Sequence, residues 1–151
     1  VETRVLCFQA AGHGWAVPLA DMLRVVPEVE LLAMPLPPAG LAGVMPDQEG
    51  VVAVYDLDAL ARGGRASTCP TGDALVGLFP HPGGAVGVRL ERLHGLAGDL
   101  LPLGDSAERT IMDRLDAGLR PVVAGVAGRE GHPPCLLFSR DGFMTTLAGP
   151  R

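Results

Sequence analysis

Leu31-Leu-Ala-Met-Pro-Leu-Pro-Pro-Ala-Gly40 leads into Leu41-Ala-Gly-Val-Met45, then Pro46-Asp-Gln-Glu-Gly50, then Val51-Val-Ala-Val-Tyr-Asp-Leu57. Pro35, Pro37 and Pro38 hold the first piece extended and irregular, because each fixes φ and removes a backbone donor. The two apolar runs that follow are separated by a polar break with Pro and Gly at its ends, the pattern of two strands joined by a turn. Asp58 to Ala61 can add a helical turn after the second run. An aliphatic hairpin introduced by a stiff proline segment is a β feature, and the flanking sequence extends it.

Upstream, Arg4 to Gln9 and Trp15 to Leu19 read as strands around the turn Ala10-Ala-Gly-His-Gly14, with Trp15, Val17 and Leu19 on one face. Pro18 lacks a ladder donor and should end the second strand or place it at an edge. Ala20 to Val26 is expected to form a short helix, packing Met22, Val25 and Val26 inward and stopped by Pro27.

Downstream, Arg62-Gly-Gly-Arg-Ala-Ser-Thr-Cys-Pro-Thr-Gly72 is small, polar and flexible, the best internal boundary. Strand patterns restart at Ala74 to Phe79, Ala85 to Leu90 and Leu93 to Leu96. Asp105 to Ala117 reads as the clearest helix, capped by Asp105 or Ser106, with Ile111, Met112, Leu115 and Leu119 on one face and Gly118 at its end. Strands Pro121 to Ala127 and Cys135 to Phe138 follow. The pattern is about ten short strands in two similar halves.

Composition narrows the function classes. The chain has 151 residues, 48% of them apolar, and a formal charge of −5. Its 12 basic residues are all Arg. That mildly acidic balance argues against nucleic acid as a partner, since phosphate binding needs clustered cations. No run approaches the roughly 18 apolar residues that span a bilayer, so no membrane insertion is expected and the expected location is the cytoplasm. Aromatics are only 4%, so the expected core rests on Val, Leu and Ala.

Cys7, Cys69 and Cys135 are an odd, scattered set without a Cys-x-x-Cys, which suits a reducing compartment. Cys7 and Cys135 read as small core residues and Cys69 as exposed. His132-Pro-Pro-Cys135 has ligand-like spacing, but a zinc site needs three or four convergent donors and no second pair lies nearby. Ser67, Ser106 and Ser139 lack a nucleophile elbow. Asp56, Asp58 and Glu91 read as solvated strand ends. No catalytic residue, metal or cofactor is expected.

The order of these elements resembles the CheW-like domain of bacterial chemotaxis adaptors, from about Arg4 to Leu147. Pro35-Leu-Pro-Pro38, Leu41, Gly43-Val-Met45 and Val51-Val-Ala-Val-Tyr-Asp-Leu57 are similar to that family's prolines, Gly-Val-Ile and apolar strand ending in Asp-Leu. Trp15-Ala-Val-Pro-Leu19 and Val86-Gly-Val-Arg-Leu-Glu-Arg-Leu-His-Gly95 resemble further strands, and Ala124-Gly-Val126 a late Gly-Val. The departures fall mostly on one turn. The family's Asn-x-Arg-Gly is Pro46-Asp47-Gln48-Glu49, its next Pro is Ala53, a Glu is Arg24, and a late Leu-Leu-Asp is Leu136-Leu137-Phe138. Losing a cation and gaining an acid at this exposed turn changes the sign and donor count of that surface.

The resemblance implies a mostly β fold of two five-stranded β-barrel lobes packed on a shared seam, with one or two short helices. Lobes are expected at about 10–66 and 72–147, with terminal segments open to exchange between them. It also implies a non-catalytic adaptor that binds the regulatory domain of a CheA-type histidine kinase and the cytoplasmic tip of a methyl-accepting chemoreceptor. Contact is assigned to Val44, Met45, Asp47, Gln48 and Glu49, although Val44 and Met45 could equally be core. A divergent scaffold of another motility or gene-regulatory system, a CheW-like module of a larger kinase or adaptor, and a small β-barrel enzyme are the rival readings. The enzyme would require Cys135, His132 and a carboxylate within bonding reach.

Overall fold

The computed structural model describes residues 4–48, 50–64, 74–98, 100–129 and 131–148. Within them the chain forms strands β1 (Val5–Ala10), β2 (His13–Pro18), β3 (Arg24–Pro27), β4 (Leu41–Asp47), β5 (Gly50–Tyr55), β6 (Leu75–His81), β7 (Gly84–Leu90), β8 (Arg92–Ala97), β9 (Leu101–Pro102), β10 (Val123–Gly128) and β11 (Cys135–Phe138). Three short helices accompany them: α1 (Leu57–Arg62), α2 (Asp105–Asp113) and α3 (Arg140–Ala148).

The strands make two sheets, ordered β8-β1-β2-β11-β10-β9 and β3-β6-β7-β5-β4. Most neighbours are antiparallel, while β2 with β11 and β5 with β7 are parallel. Strands from both sides of residues 66–72 enter the second sheet, and the N-terminal hairpin joins the first, so the sheets do not divide the chain there. The sequence boundary itself lies largely outside the described residues.

In each sheet one stretch of chain reaches both edges. In the first, β8 and β9 are separated by only residues 98–100, yet β8 pairs with β1 and β9 with β10. In the second, β3 pairs with β6, and Leu32, just beyond it, bridges to Val44 of β4 through N···O contacts of 2.8 and 2.9 Å. Neither closure is a full ladder. Gly43 makes the second possible: its φ is +155°, and a Cβ there would sit 2.8 Å from the Leu32 carbonyl oxygen and 2.9 Å from the Leu31 Cβ.

Alternation along each strand splits the apolar residues between lobe interiors and a common seam. In β1 and β2, Leu6, Phe8, Ala10, Trp15 and Val17 face the seam, while Val5, Cys7 and Ala16 face inward. In the second lobe Tyr55, Phe79, Val86, Val88 and Leu90 face the seam, and Met45, Val52, Val54, Val76 and Leu78 fill the interior. All six aromatic residues meet at the seam: Phe8 stacks on Trp15, Trp15 meets Phe138 edge-on, and Phe79, Phe143 and Tyr55 complete the chain of contacts. The low aromatic content is thus concentrated where the lobes join. The Trp15 indole N–H donates to the Ala10 carbonyl at 2.9 Å, which satisfies its polar edge.

Local structure departs from the sequence reading at four places. The helix expected at Ala20 to Val26 is a 3-10 turn, Leu19–Asp21, followed by β3. Val25 and Val26 are β-branched, and cross-strand pairing with Gly77 and Val76 overrides the short helical pattern. The helix expected at Asp105 to Ala117 ends at Asp113, and Gly104 stands at its N-cap without a side-chain bond. Leu115 and Leu119 are buried after it in irregular chain. Gly118 is therefore no helix stop: a Cβ on it would collide with the Leu60 carbonyl oxygen and lie 2.9 Å from that of Ala61. Finally, α3 was not anticipated; Ser139 Oγ accepts from the Gly142 N–H at 2.9 Å and starts it, and Phe143 is buried in the seam.

Candidate functional site

The β4–β5 hairpin presents two faces. Met45, Val52 and Val54 point into the lobe and are at most 3% exposed. Val44, Pro46, Val51 and Ala53 alternate with them and share the outer face, and Leu32 joins that face through its bridge to Val44. Val51 is 69% and Leu32 66% exposed, Pro46 is exposed, and Val44 is half-buried. This forms an aliphatic strip on the outside of the second lobe. Met45 belongs to the core, because its place in the alternation turns it inward. Glu49 lies outside the described residues, and Gln48 is exposed at the turn.

Asp47 is not a free turn acid. Its Oδ2 accepts from the Arg24 guanidinium at 2.6 Å, linking the start of β3 to the end of β4. The Arg24 hydrogen bond is the main influence holding the Asp47 carboxyl below its ordinary range; burial opposes it, and the Gln48 backbone adds to it. The cation at Arg24, which departs from the family's Glu, and the turn acid Asp47, 23 positions apart, are thus paired in space.

A second charged group was missed altogether. Arg89 lies on β7 on the interior side of the second lobe, only 5% exposed. Its Nε and one terminal nitrogen donate to Glu28 at 2.6 and 3.3 Å, and the other terminal nitrogen donates to Asp56 at 2.9 Å. Asp56 also accepts from the Ala59 N–H at 3.0 Å as the N-cap of α1. Burial by itself would lower the Arg89 pKa, but the bonds and charges of Glu28 and Asp56 outweigh it and raise it. The solvated-strand-end reading of Asp56 is corrected: it joins a buried acid–base–acid group. Glu91 accepts from the Ala11 N–H at 2.6 Å across the N-terminal hairpin, and Asp58 pairs with Arg62 one helical turn on.

Two thiols and two imidazoles gather at one end of the first lobe. Cys7, His94, Arg129, His132 and Cys135 line a cavity of about 580 Å³. Arg129 stands over the His132 ring, 2.8 and 3.3 Å from its nitrogens. Burial is the largest influence raising the Cys135 thiol pKa, followed by Cys7, with Arg129 opposing. A thiol held protonated is a poor nucleophile. Among the described residues no group of three or more His, Cys, Asp or Glu could hold a metal ion. His81 serves its own turn, its Nδ1 accepting from the Gly83 N–H at 3.2 Å. Cys69 and Ser67 lie outside the described residues.

Two lobes joined at an apolar seam, with a bent chain segment closing each, define the CheW-like fold. The solved structure of the scaffolding protein TtCheW from Thermoanaerobacter tengcongensis superposes on this chain with a TM-score of 0.70, covering 92% of this chain and 90% of that one at 15% identity. No protein-family model and no curated protein matches the sequence. Among the described residues no helix is long and apolar enough to cross a membrane.

Proposed function

We propose that this chain is a non-catalytic signalling adaptor of the chemotaxis type, coupling a chemoreceptor tip to the regulatory domain of a CheA-type histidine kinase. The observation that carries the reading is the aliphatic strip Leu32, Val44 and Val51 on the outer face of β4–β5, set in a fold shared with a bacterial scaffolding protein. Exposed aliphatics rimmed by Asp47 and Gln48 suit association through apolar burial, with the polar rim setting selectivity. The contact set is Val44, Asp47 and Gln48, to which Glu49 belongs by position; Met45 supports it from within.

The chemistry of the interior favours a scaffold over an enzyme. Its buried charges are consumed by one another, and its thiol at Cys135 is held in the protonated form. The altered turn favours a second reading, in which the adaptor serves a different kinase–receptor pair. Arg24 and Asp47 neutralise each other beside Gln48, the position that corresponds to the family's Arg.

Purified chain titrated with a kinase regulatory domain and with a receptor tip tests both readings. Saturable binding to either is expected, and Val44→Asp should weaken it about tenfold or more by placing a carboxylate in an apolar contact. Absence of binding to chemotaxis partners and to those of other motility systems would remove the adaptor reading.

A further inference from the structure

The two lobes, of six and five strands, differ in filling. The second interior is packed by Met45, Val52, Val54, Val76 and Leu78, so tightly that a Cβ on Gly87 would lie 2.6 Å from Val76. The first lobe's interior carries mostly smaller side chains, Val5, Cys7, Gly14, Ala16, Ala97 and Cys135, with Leu100 and Leu137 packed against them. The result is the cavity of about 580 Å³ described above, with a second of about 500 Å³ entering from the opposite end and Leu100 lining both. Volumes of this size match small-molecule sites. The first lobe is thus less fully filled than the second, and its open-mouthed clefts leave room for a ligand.

The lining says what kind. The side chains of the inner wall are Cys7, Leu100 and Cys135, apolar or weakly polar, because Phe8 and Trp15 turn theirs to the seam. At the mouth stand the Arg129 guanidinium and the exposed imidazoles of His94 and His132. The nearby acid of the hairpin, Glu91, is engaged by the Ala11 N–H. Only one terminal nitrogen of Arg129 faces His132 in the contacts described, and a guanidinium has five donors in a fork suited to a carboxylate. We propose that the cleft of the first lobe binds a medium-chain carboxylate, its chain against Cys7, Leu100 and Cys135 and its head group on Arg129. The site lies in the lobe opposite the β4–β5 strip, so it stands or falls independently of the adaptor reading.

Sodium octanoate is the probe, with octanol (chain without charge) and acetate (charge without chain) as comparators. Binding is followed by calorimetry and by N-ethylmaleimide labelling of Cys7 and Cys135, mapped by peptide mass. Octanoate is expected to bind saturably and to slow labelling of both thiols, with octanol and acetate each weaker by about tenfold or more. Arg129→Gln, on the half-exposed rim, should weaken octanoate by a similar factor while leaving octanol unchanged. Cys135→Leu should fill the cleft and abolish both. Unchanged labelling under saturating octanoate, or binding indifferent to Arg129→Gln, would overturn the proposal.

Discussion

Arg89 shows how a single residue can be decisive and yet invisible in sequence. It sits 61 positions from Glu28 and 33 from Asp56, so neither spacing nor local composition pairs them. Removing the cation would leave two carboxylates facing a sparsely solvated lobe end, and breaking such a group typically costs about 3–5 kcal/mol. Arg89→Met should lower unfolding free energy in urea by that order. The double variant Arg89→Met with Glu28→Leu should recover much of it, because the largest uncompensated charge goes too. A loss under about 1 kcal/mol for the single variant would show that the group is not a closed ion pair.

Arg24 and Asp47 belong to the same scale but make a pH-dependent link. The Asp47 carboxyl is lowered in the folded chain, so its pairing favours folding above the unfolded-chain pKa and is lost as pH falls through the lower folded value. An NMR titration of the Asp47 side chain should therefore give a midpoint below the ordinary aspartate value. Arg24→Gln should move that midpoint up; an unmoved midpoint would mean the guanidinium is not its partner in solution. The acidic turn was legible as a departure from the family pattern, whereas its cation was read as part of a helix.

Among the elements, strands with strict alternation and turn residues at both ends were readable: β1, β2, β6, β7 and β11 fall close to their expected bounds. Helices were less so. Val25 and Val26 carried a spacing compatible with a helix, and only long-range pairing with β6 makes them strand. For α3, a glycine and two threonines among its nine residues conceal the Phe143, Met144 and Leu147 face, although Ser139 three positions before Gly142 was an available start signal. Gly118 carries the sharpest test at this scale. Read as a helix stop, it would tolerate Ala with a small loss. As a close approach to the carbonyls of Leu60 and Ala61, it should not: Gly118→Ala is expected to cost about 1–3 kcal/mol by overpacking and to shift the α1 amide resonances. A variant as stable as the parent would restore the first reading.

For the whole molecule, the lobes' shared seam decides whether they behave as one unit. Leu6, Phe8, Trp15, Val126 and Phe138 come from the first sheet, and Leu41, Tyr55, Phe79, Val86 and Val88 from the second, in one continuous cluster. The two-lobed architecture was legible through the resemblance, but the gathering of every aromatic at the junction was not, because composition gives their number and not their place. The second lobe's interior cluster is the larger; the first lobe's is a small one of Val5, Ala16 and Ala97 beside an open cleft. It follows that the first lobe should not outlast the second. Urea unfolding followed by Trp15 fluorescence, a reporter of the first lobe, and by hydrogen exchange of the β5–β7 amides should give coincident transitions. Phe138→Ala, which removes a ring touching Trp15, Phe79 and Phe143, should lower both together by about 3–5 kcal/mol. If Trp15 melts first while β5–β7 stays protected, the lobes are separate folding units, and a contact made on the β4–β5 face would have no rigid path to the other lobe.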